Sequence, residues 1–452
     1  SNPRFTDDGL RSEIWLGDGK GGFRRVPEAG IERPETVISA LFVDYDRDGR
    51  LDLFTGASYT AYGKSLEAFP DRLYRGKGDG RFVEVTKQAG LLGVAAWGRA
   101  DSRRPTYGVA HTDWNNDGWQ DLLTMSYGRQ WNRLWRNNGD GTFTDLAPQT
   151  GFDGDAIRDG RYPPIVRRPT ERPFRANGNT FDAAVADYDN DGDMDVFLAE
   201  ITHWWAGPSS DRSMLLENLG PEHGYRFRRR PDLIPRTHFA ERWNQGDMHA
   251  GWLDVDNDGL LDLVIASSDY PDLQRLQLYH QRPDHTFEDW SERLGLTWRN
   301  AAAISFADFD GDGGVDIAVT TNNHRLTREQ RRSHPLAMGL LRNLEARRTG
   351  HHWIELRLRG AGAGKANRDA IGARVVLWTG DRRQTREVYG GQGHAGHRDD
   401  TTLHFGLGEA RHADRIEVHW PDASGSVQRF EHVAADRLYL LEQGGRLRTI
   451  HR

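Results

Sequence analysis

Five stretches of this chain place carboxylate or amide side chains at positions 1, 3, 5 and 9 of a nine-residue run, with glycine at position 6. They are Asp44 to Asp52, Asp113 to Asp121, Asp187 to Asp195, Asp254 to Asp262 and Asp308 to Asp316. Carboxylates at alternate positions repel one another unless a cation neutralises them, and hard oxygen donors with no His or Cys among them point to calcium. The expected side-chain ligands are Asp44, Asp46, Asp48 and Asp52; Asp113, Asn115, Asp117 and Asp121; Asp187, Asp189, Asp191 and Asp195; Asp254, Asp256, Asp258 and Asp262; and Asp308, Asp310, Asp312 and Asp316. The backbone carbonyl of position 7, in Arg50, Trp119, Asp193, Leu260 and Gly314, is expected to complete each shell. A shell filled in this way leaves no position for a substrate or an activated water, so about five structural Ca2+ ions are expected to act as staples. Asn115 removes one charge from the second loop and should make it the weakest.

The elements around the loops must be strands. An EF-hand needs Glu at position 12 and flanking helices, whereas position 12 here is Thr55, Thr124, Leu198, Ile265 or Val319. The flanks are short apolar runs bounded by Gly and Asp, such as Leu41-Phe-Val before the first loop and Val196-Phe-Leu after the third, and they read as buried strands. After each loop comes an aromatic-rich hairpin: Leu73 to Phe82, Leu134 to Phe143, Leu278 to Phe287, and looser versions at Leu215 and Leu340. Their Asn-Gly and Asp-Gly turns are strong hairpin signals. A unit of strand, metal turn, strand, strand, tight turn, strand, recurring at spacings of 69, 74, 67 and 54 residues, predicts a calcium-binding β-propeller. Five blades are explicit, with room for six or seven. An extra hairpin at Ile14 to Phe23 is expected either to complete the last blade or to belong to a further one. Segments 92–106, 153–180, 200–213, 234–247 and 323–338 do not fit the strand pattern and read as long loops that carry function.

Composition agrees with a large repeat domain plus a smaller one. The chain has 452 residues, 37% hydrophobic, with 15 Trp and no Cys, which excludes disulfides, zinc-thiolate sites and cysteine nucleophiles. No run of about 18 apolar residues predicts a membrane span. Five divalent ions would add ten positive charges and turn the formal net charge of −7 into +3, so the acidic balance says little about partners. The Arg residues are spread among acidic neighbours and form no basic tract for nucleic acid. The opening Ser1-Asn leads us to expect a removed leader or a tag remnant.

Together the loops and hairpins resemble the FG-GAP/VCBS repeat, the calcium-dependent propeller unit also seen in integrin α heads, over residues 1–344. From 345 to 452 the pattern changes. Trp353-Ile-Glu-Leu-Arg-Leu, Asn367-Arg-Asp-Ala-Ile-Gly-Ala, Gly390-Gly-Gln-Gly, Leu403-His-Phe-Gly-Leu-Gly and Ile416-Glu-Val-His-Trp-Pro, in that order, resemble the ASPIC/UnbV domain. Read from its residues alone, the tail is a small β-sandwich of short alternating strands. The combination is similar to the cartilage acidic protein family, whose bacterial members include proteins assigned to enediyne polyketide biosynthesis. One departure stands out: where that family often has an aromatic residue and Ser after its Gly-Gly-x-Gly turn, this chain has His394-Ala-Gly-His397.

The candidate ligand-binding residues lie upstream of the loops and in the long segments. Inner strands of a propeller line its channel, so Tyr107, Thr180, Met248, His249 and Asn300 should converge at one face, with His111 on the second inner strand. Trp204 and Trp205 follow the third loop beside His203, and His324 follows the fifth. An adjacent Trp pair in a loop exposes one ring unless something covers it. No Gly-x-Ser-x-Gly elbow, phosphate loop or His-Glu-x-x-His helix is present, which leaves open whether the protein is an enzyme. Two readings follow. In the first, which the resemblance implies, a biosynthetic and cytoplasmic protein binds or converts an apolar polyene or aromatic intermediate at the propeller face. In the second, a secreted adhesion module binds protein or glycan without catalysis.

Overall fold

The structure is a computed structural model that describes residues 11–451 apart from 63, 65, 66, 93–103, 163, 168, 171–176, 237–243, 269–273, 324, 325 and 334, and only the backbone of 204, 208, 209 and 244. Strands account for 43% of the chain and helices for 5%, so the protein is all-β. A short hairpin, β1 (Trp15–Gly17) and β2 (Phe23–Arg25), precedes four-stranded meanders whose first two strands are joined by a metal loop. The first is β3 (Val37–Val43), β4 (Asp52–Ala57), β5 (Arg72–Gly76) and β6 (Phe82–Glu84). The second is β7 (Thr106–Thr112), β8 (Asp121–Ser126), β9 (Arg133–Asn137) and β10 (Phe143–Asp145). The third is β11 (Thr180–Ala186), β12 (Asp195–His203), β13 (Met214–Asn218) and β14 (Phe227–Arg230). The fourth is β15 (Asn244–Leu253), β16 (Asp262–Ser267), β17 (Leu276–Gln281) and β18 (Phe287–Asp289). The last loop joins β19 (Ala301–Ala307) to β20 (Asp316–Thr321), which pairs with β21 (Met338–Leu341).

The second strand of each meander is buried on both faces because it is sandwiched between neighbours, which is why its residues read as an unbroken apolar run. Separate hydrophobic clusters fill the spaces between successive meanders. Leu41, Phe54 and Leu73 meet Leu122 and Trp135, and Phe197 and Leu215 meet Leu263 and Tyr279. Stacked, twisted sheets with their cores between them make the β-propeller.

Two expectations are corrected. The hairpin β1–β2 pairs with no other strand among the described residues; Leu16 and Val26 instead pack on the first meander, around Leu53, Tyr74 and Phe82. Parts of the segments read as loops are strand. Residues 201–203 extend β12 and pair with 244–246 of β15, which fuses the third and fourth meanders into one sheet of eight strands.

The C-terminal strands are β22 (His352–Arg359), β23 (Arg374–Thr379), β24 (Arg382–Glu387), β25 (Gly393–His394), β26 (Leu403–Gly408), β27 (His412–His419), β28 (Val427–Ala434), β29 (Arg437–Glu442) and β30 (Arg448–Ile450). Two four-stranded sheets, β26-β22-β29-β30 and β24-β23-β27-β28, close on a core that includes Ile354, Leu356, Val375, Phe405, Ile416 and Leu441. Strand β25 leaves this sandwich to pair with β7 inside the propeller.

Candidate functional site

Each metal loop is held by the same internal hydrogen bonds. The position-1 carboxylate accepts the N–H of the position-6 glycine: Asp44 from Gly49 at 3.1 Å, Asp113 from Gly118 at 2.9 Å, Asp187 from Gly192 at 3.1 Å, Asp254 from Gly259 at 2.8 Å and Asp308 from Gly313 at 2.9 Å. The position-5 carboxylate accepts the N–H of position 7, as from Arg50 to Asp48, Trp119 to Asp117 and Leu260 to Asp258. The position-9 Asp turns out to be an anchor as well as a ligand candidate. Asp195 accepts Tyr188 N–H at 3.2 Å and Asn218 N–H at 2.7 Å, tying the loop to the hairpin of its own meander, and Asp52, Asp121, Asp262 and Asp316 do the same.

The donor set fits a cation. Asp44 Oδ1, Asp46 Oδ1, Asp113 Oδ1 and Asp187 Oδ2 are buried without a hydrogen-bond partner. Ligand atoms of Asp44, Asp46 and Asp48, and of Asp187, Asp189 and Asp195, lie within 4.8 Å of one another. Burial, with neighbouring carboxylates second, pushes Asp44 up to about 7, and burial pushes Asp52 to about 8 and Asp113 to about 7. Carboxylates driven this far from their ordinary range, with oxygens left bare, are what a divalent ion would restore. The loops are not equivalent. In the first, Arg75 lies 2.8 Å from Asp46 and Arg50 pairs with Asp48, and in the fifth, Arg342 lies 2.5 Å from Asp310 and 3.0 Å from Asp312, and Arg347 2.7 Å from Asp312, so arginine already supplies positive charge in both.

Position 4, which carries no pattern in the ligand argument, wires the loops together. Arg47, Asn116, Asn190 and Asn257 adopt left-handed φ values of 54–61°, a conformation Asn tolerates well, and Gly311 takes the place in the fifth loop. Their side chains reach the next loop: Asn116 Nδ2 to Gly192 O at 3.4 Å, Asn190 to Gly259 O at 3.2 Å and Asn257 to Gly313 O at 3.0 Å, with the Arg47 guanidinium 4.1 Å from the Trp119 ring. Hairpin amides do likewise. Asn137, Asn218, Gln281 and Asn343 donate to the position-2 carbonyls of Tyr45, Trp114, Tyr188 and Val255 in the preceding meander, at 2.8–3.1 Å. The first meander has Gly76 in that place, where a Cβ would strike Leu51 O.

The loop face is covered by the C-terminal sandwich. Gly364 N–H donates to Asp48 O at 2.8 Å, Arg374 to Asp113 O at 2.8 Å, Arg383 to Asp191 O at 2.6 Å, Arg382 to Asp258 O, and His404 Nε2 lies 3.0 Å from Gly313 O. Arg374 also pairs with the buried Glu387 at 2.9 Å, and Glu387 accepts the Thr112 hydroxyl at 2.8 Å. The Gly390–Thr402 segment then enters the channel. Phe42 N–H donates to Gly390 O at 3.1 Å on one side, and Phe306 N–H to Asp399 Oδ1 at 2.9 Å on the other, so it bridges β3 and β19.

The expected ligand-binding residues fall in different surroundings. His111 is fully buried and accepts Gly390 N–H through Nε2 at 2.8 Å, so its Nδ1–H donates to Gln120 at 2.6 Å; one ring nitrogen serves the domain contact and the other its own meander's loop. Asn300, at φ 50°, sits in a turn, donating N–H to Gln274 O and accepting Asn322 N–H. Thr180 donates to the buried Glu200 at 2.6 Å. Met248 lies at the bulge where β15 shifts register against β16. His324 and the Trp204 side chain lie outside the described residues. Trp205 stacks on His203 at 5.2 Å and Tyr162 at 6.0 Å, with the Arg129 guanidinium 5.1 Å away.

Since the first strand of a meander runs toward its metal loop and the second runs back, the start of β7 and the end of β8 share the opposite mouth. There Tyr107 and Tyr127 stack at 4.4 Å, Phe181 lies 5.1 Å from Tyr107, and Tyr59 and Tyr62 complete an aromatic cluster in which Tyr62 is 39% exposed. His394 stacks on Tyr107 at 5.5 Å and closes the cluster from below. His249 sits deeper, beside Asp182 and His397; burial pushes its pKa down to about 3 and also lowers that of His397. Asp182, His394, His397 and Asp399 were not among the expected site residues. The sequence signal for them is a lone Asp opening the apolar run Ala183-Ala-Val-Ala, and the His pair that departs from its family's turn.

Comparison with known proteins agrees with both parts of the chain. Residues 5–55, 113–198 and 254–319 match the FG-GAP-like repeat, and residues 362–448 match the domain described as ASPIC and UnbV. Cartilage acidic protein 1 of Xenopus tropicalis is 29% identical over 211 residues, 44% of this chain and 25% of that protein; the Homo sapiens protein is 27% identical over 205 residues, 44% and 24%. The chain thus spans about a quarter of the length of these curated relatives. Among solved structures, a protein from Lactobacillus plantarum aligns at TM-score 0.36 and 11% identity over 96% of this chain and 94% of its own, and a rhamnogalacturonan lyase of Bacillus licheniformis at 0.34 and 12% over 90% and 73%. These scores are too low to argue from.

Proposed function

This chain joins FG-GAP-like repeats to an ASPIC/UnbV domain, as a homologue of cartilage acidic protein 1, and from that premise we propose a calcium-stapled propeller that binds an apolar polyene or aromatic small molecule at the mouth opposite its metal loops. The observation that carries the proposal is the cluster of Tyr59, Tyr62, Tyr107, Tyr127 and Phe181. Tyr62 is exposed and Tyr107 and Tyr127 are half-buried over the buried Tyr59 and Phe181, and flat rings backed by a rigid scaffold offer stacking surface to a conjugated ligand at little entropic cost. The loop face is closed by the C-terminal sandwich, which directs binding to the aromatic end. A natural-product biosynthesis role, of the enediyne polyketide kind, follows if such a ligand is a polyketide intermediate. The test is titration with the fluorescent polyene parinaric acid in millimolar calcium. Saturable binding that is lost in a Tyr62→Ala, Tyr127→Ala double variant of unchanged melting temperature supports the reading; no binding, or binding that ignores both substitutions, defeats it.

A second reading, a protein- or glycan-binding adhesion module, draws on the rim beside that mouth. Trp205, Tyr162 and His203 form a stacked column with Arg129, and Ile157 and Ile165 are 44% and 71% exposed. Stacked aromatics beside guanidinium groups also suit sugar rings. A glycan array probed with wild-type protein and Trp205→Ala separates the two readings.

A further inference from the structure

Three side chains from distant parts of the chain meet inside the channel: Asp182 on β11, His249 on β15 and His397 just beyond β25. One ligand atom of each lies within 4.8 Å of the other two. Asp182 is wholly buried and His249 is 3% exposed. The two imidazoles stand perpendicular with centroids 4.5 Å apart. His249 Nδ1 is 3.5 Å from Asp182 Oδ2, yet it makes no hydrogen bond, and neither do Nδ1 and Nε2 of His397. Buried polar atoms are nearly always satisfied, and three bare imidazole nitrogens grouped around a carboxylate demand a partner.

We infer that Asp182, His249 and His397 bind one divalent first-row transition-metal ion of the zinc or iron class, at a site separate from the five Asp-rich loops. Two imidazoles and a carboxylate suit such an ion; calcium would require six to eight oxygens. The carboxylate is already oriented: Asp182 Oδ2 accepts Ala250 N–H at 3.1 Å and Oδ1 accepts Ala183 N–H at 2.8 Å. Outer partners of this kind set the direction of a ligand before the ion arrives. Asp399, two residues beyond His397 and held by Phe306 N–H, places a second carboxyl group close enough to act on His397. Gly393 is confined for the same reason, since a Cβ there would meet the Asp182 carboxylate.

Three protein ligands leave coordination positions open. Of the three, His397 alone lines a cavity of about 160 Å³, together with Gly391, Gln392, Trp252 and Phe306, so the site borders that space on the His397 side. Next outward, His394 directs Nδ1–H to Tyr107 O at 3.1 Å, and its ring stands 6.4 Å from that of His249. The His-Ala-Gly-His turn, the departure from the family pattern, is therefore what supplies the third ligand.

The experiment uses the whole chain saturated with millimolar calcium, so that the loops are filled, and titrates it with Co2+ while recording visible absorption. One equivalent of cobalt with visible ligand-field bands is expected, displaced by zinc. His397→Ala removes a ligand outright and should weaken binding by more than the roughly 10- to 100-fold that loss of an outer partner costs, and His249→Gln should do the same. Melting temperature in calcium reports that each variant is folded, independent of cobalt. Absence of ligand-field bands in folded wild type, or cobalt affinity unchanged in a folded His397→Ala protein, overturns the inference. Because parinaric acid plays no part, failure here leaves the aromatic mouth untouched, and the reverse holds equally.

Discussion

Removing calcium should destabilise this protein more than any point substitution. Each loop would bind a cation only when its carboxylates are gathered by the fold, so ligand held at 100 times its dissociation constant would stabilise by about 2.7 kcal/mol per site. Five such loops give roughly 13 kcal/mol, comparable with the whole stability of a typical domain, about 5–15 kcal/mol. Without the ion, bare oxygens on Asp44, Asp46, Asp113 and Asp187 remain buried, and the loops relax. Relaxation does not stay local, because loop carbonyls of Asp48, Asp113, Asp191 and Asp258 hold the C-terminal sandwich. Chelation should therefore lower the melting temperature by tens of degrees and expose the Gly390–Thr402 segment to protease before global unfolding. The sign of the pH dependence is also fixed. Asp44, Asp52 and Asp113 are raised to about 7, 8 and 7 in empty loops, above their unfolded value of 3.8, by burial first. A raised pKa stabilises the chelated fold at low pH, and that contribution fades as pH climbs from about 4 through 7–8. Calcium replaces the protons, so the gap between calcium and chelator melting curves should widen from pH 5 to pH 8. Differential scanning calorimetry with metal analysis reads both effects. A melt that moves by less than a few degrees in excess chelator, or a gap that narrows with pH, would refute the reasoning.

Two further outcomes are expected. The first and fifth loops, rather than the Asn115-containing second, should release calcium first, because Arg50 and Arg75 compete for Asp46 and Asp48, and Arg342 and Arg347 for Asp310 and Asp312; a double Arg75→Ala, Arg342→Ala variant should tighten the two weakest sites seen by calorimetric titration, and no change would return the second loop to that place. Asn218→Ala removes the donor to Trp114 O and Met194 O and should cost about 1–3 kcal/mol, read as a lower denaturation midpoint, whereas Asn138→Ala in an exposed turn should cost far less.

Much of this was local and therefore legible in the residues. Ligand spacing at positions 1, 3, 5 and 9 lies within a single turn, and Asn-Gly and Asp-Gly turns set their hairpins without help from distant chain, so the loops, meanders and sandwich strands could be read directly. Strand pairing beyond a hairpin could not: nothing in residues 201–203 or 244–246 by themselves announces that they pair with each other. Position 4 looked free because its role, an amide reaching the next loop, exists only once the meanders stand side by side. His111 looked like a channel ligand because its partner, Gly390, lies 279 residues away. The central site is the extreme case. His394 meets Tyr107 across 287 residues, and Asp182, His249 and His397 come together only because the C-terminal sandwich docks on the loop face and drives its turn into the channel. Sequence determined the rivets, since a metal loop is specified by its own nine residues; tertiary structure alone decided what they hold together, since a site made by docking has no local signature.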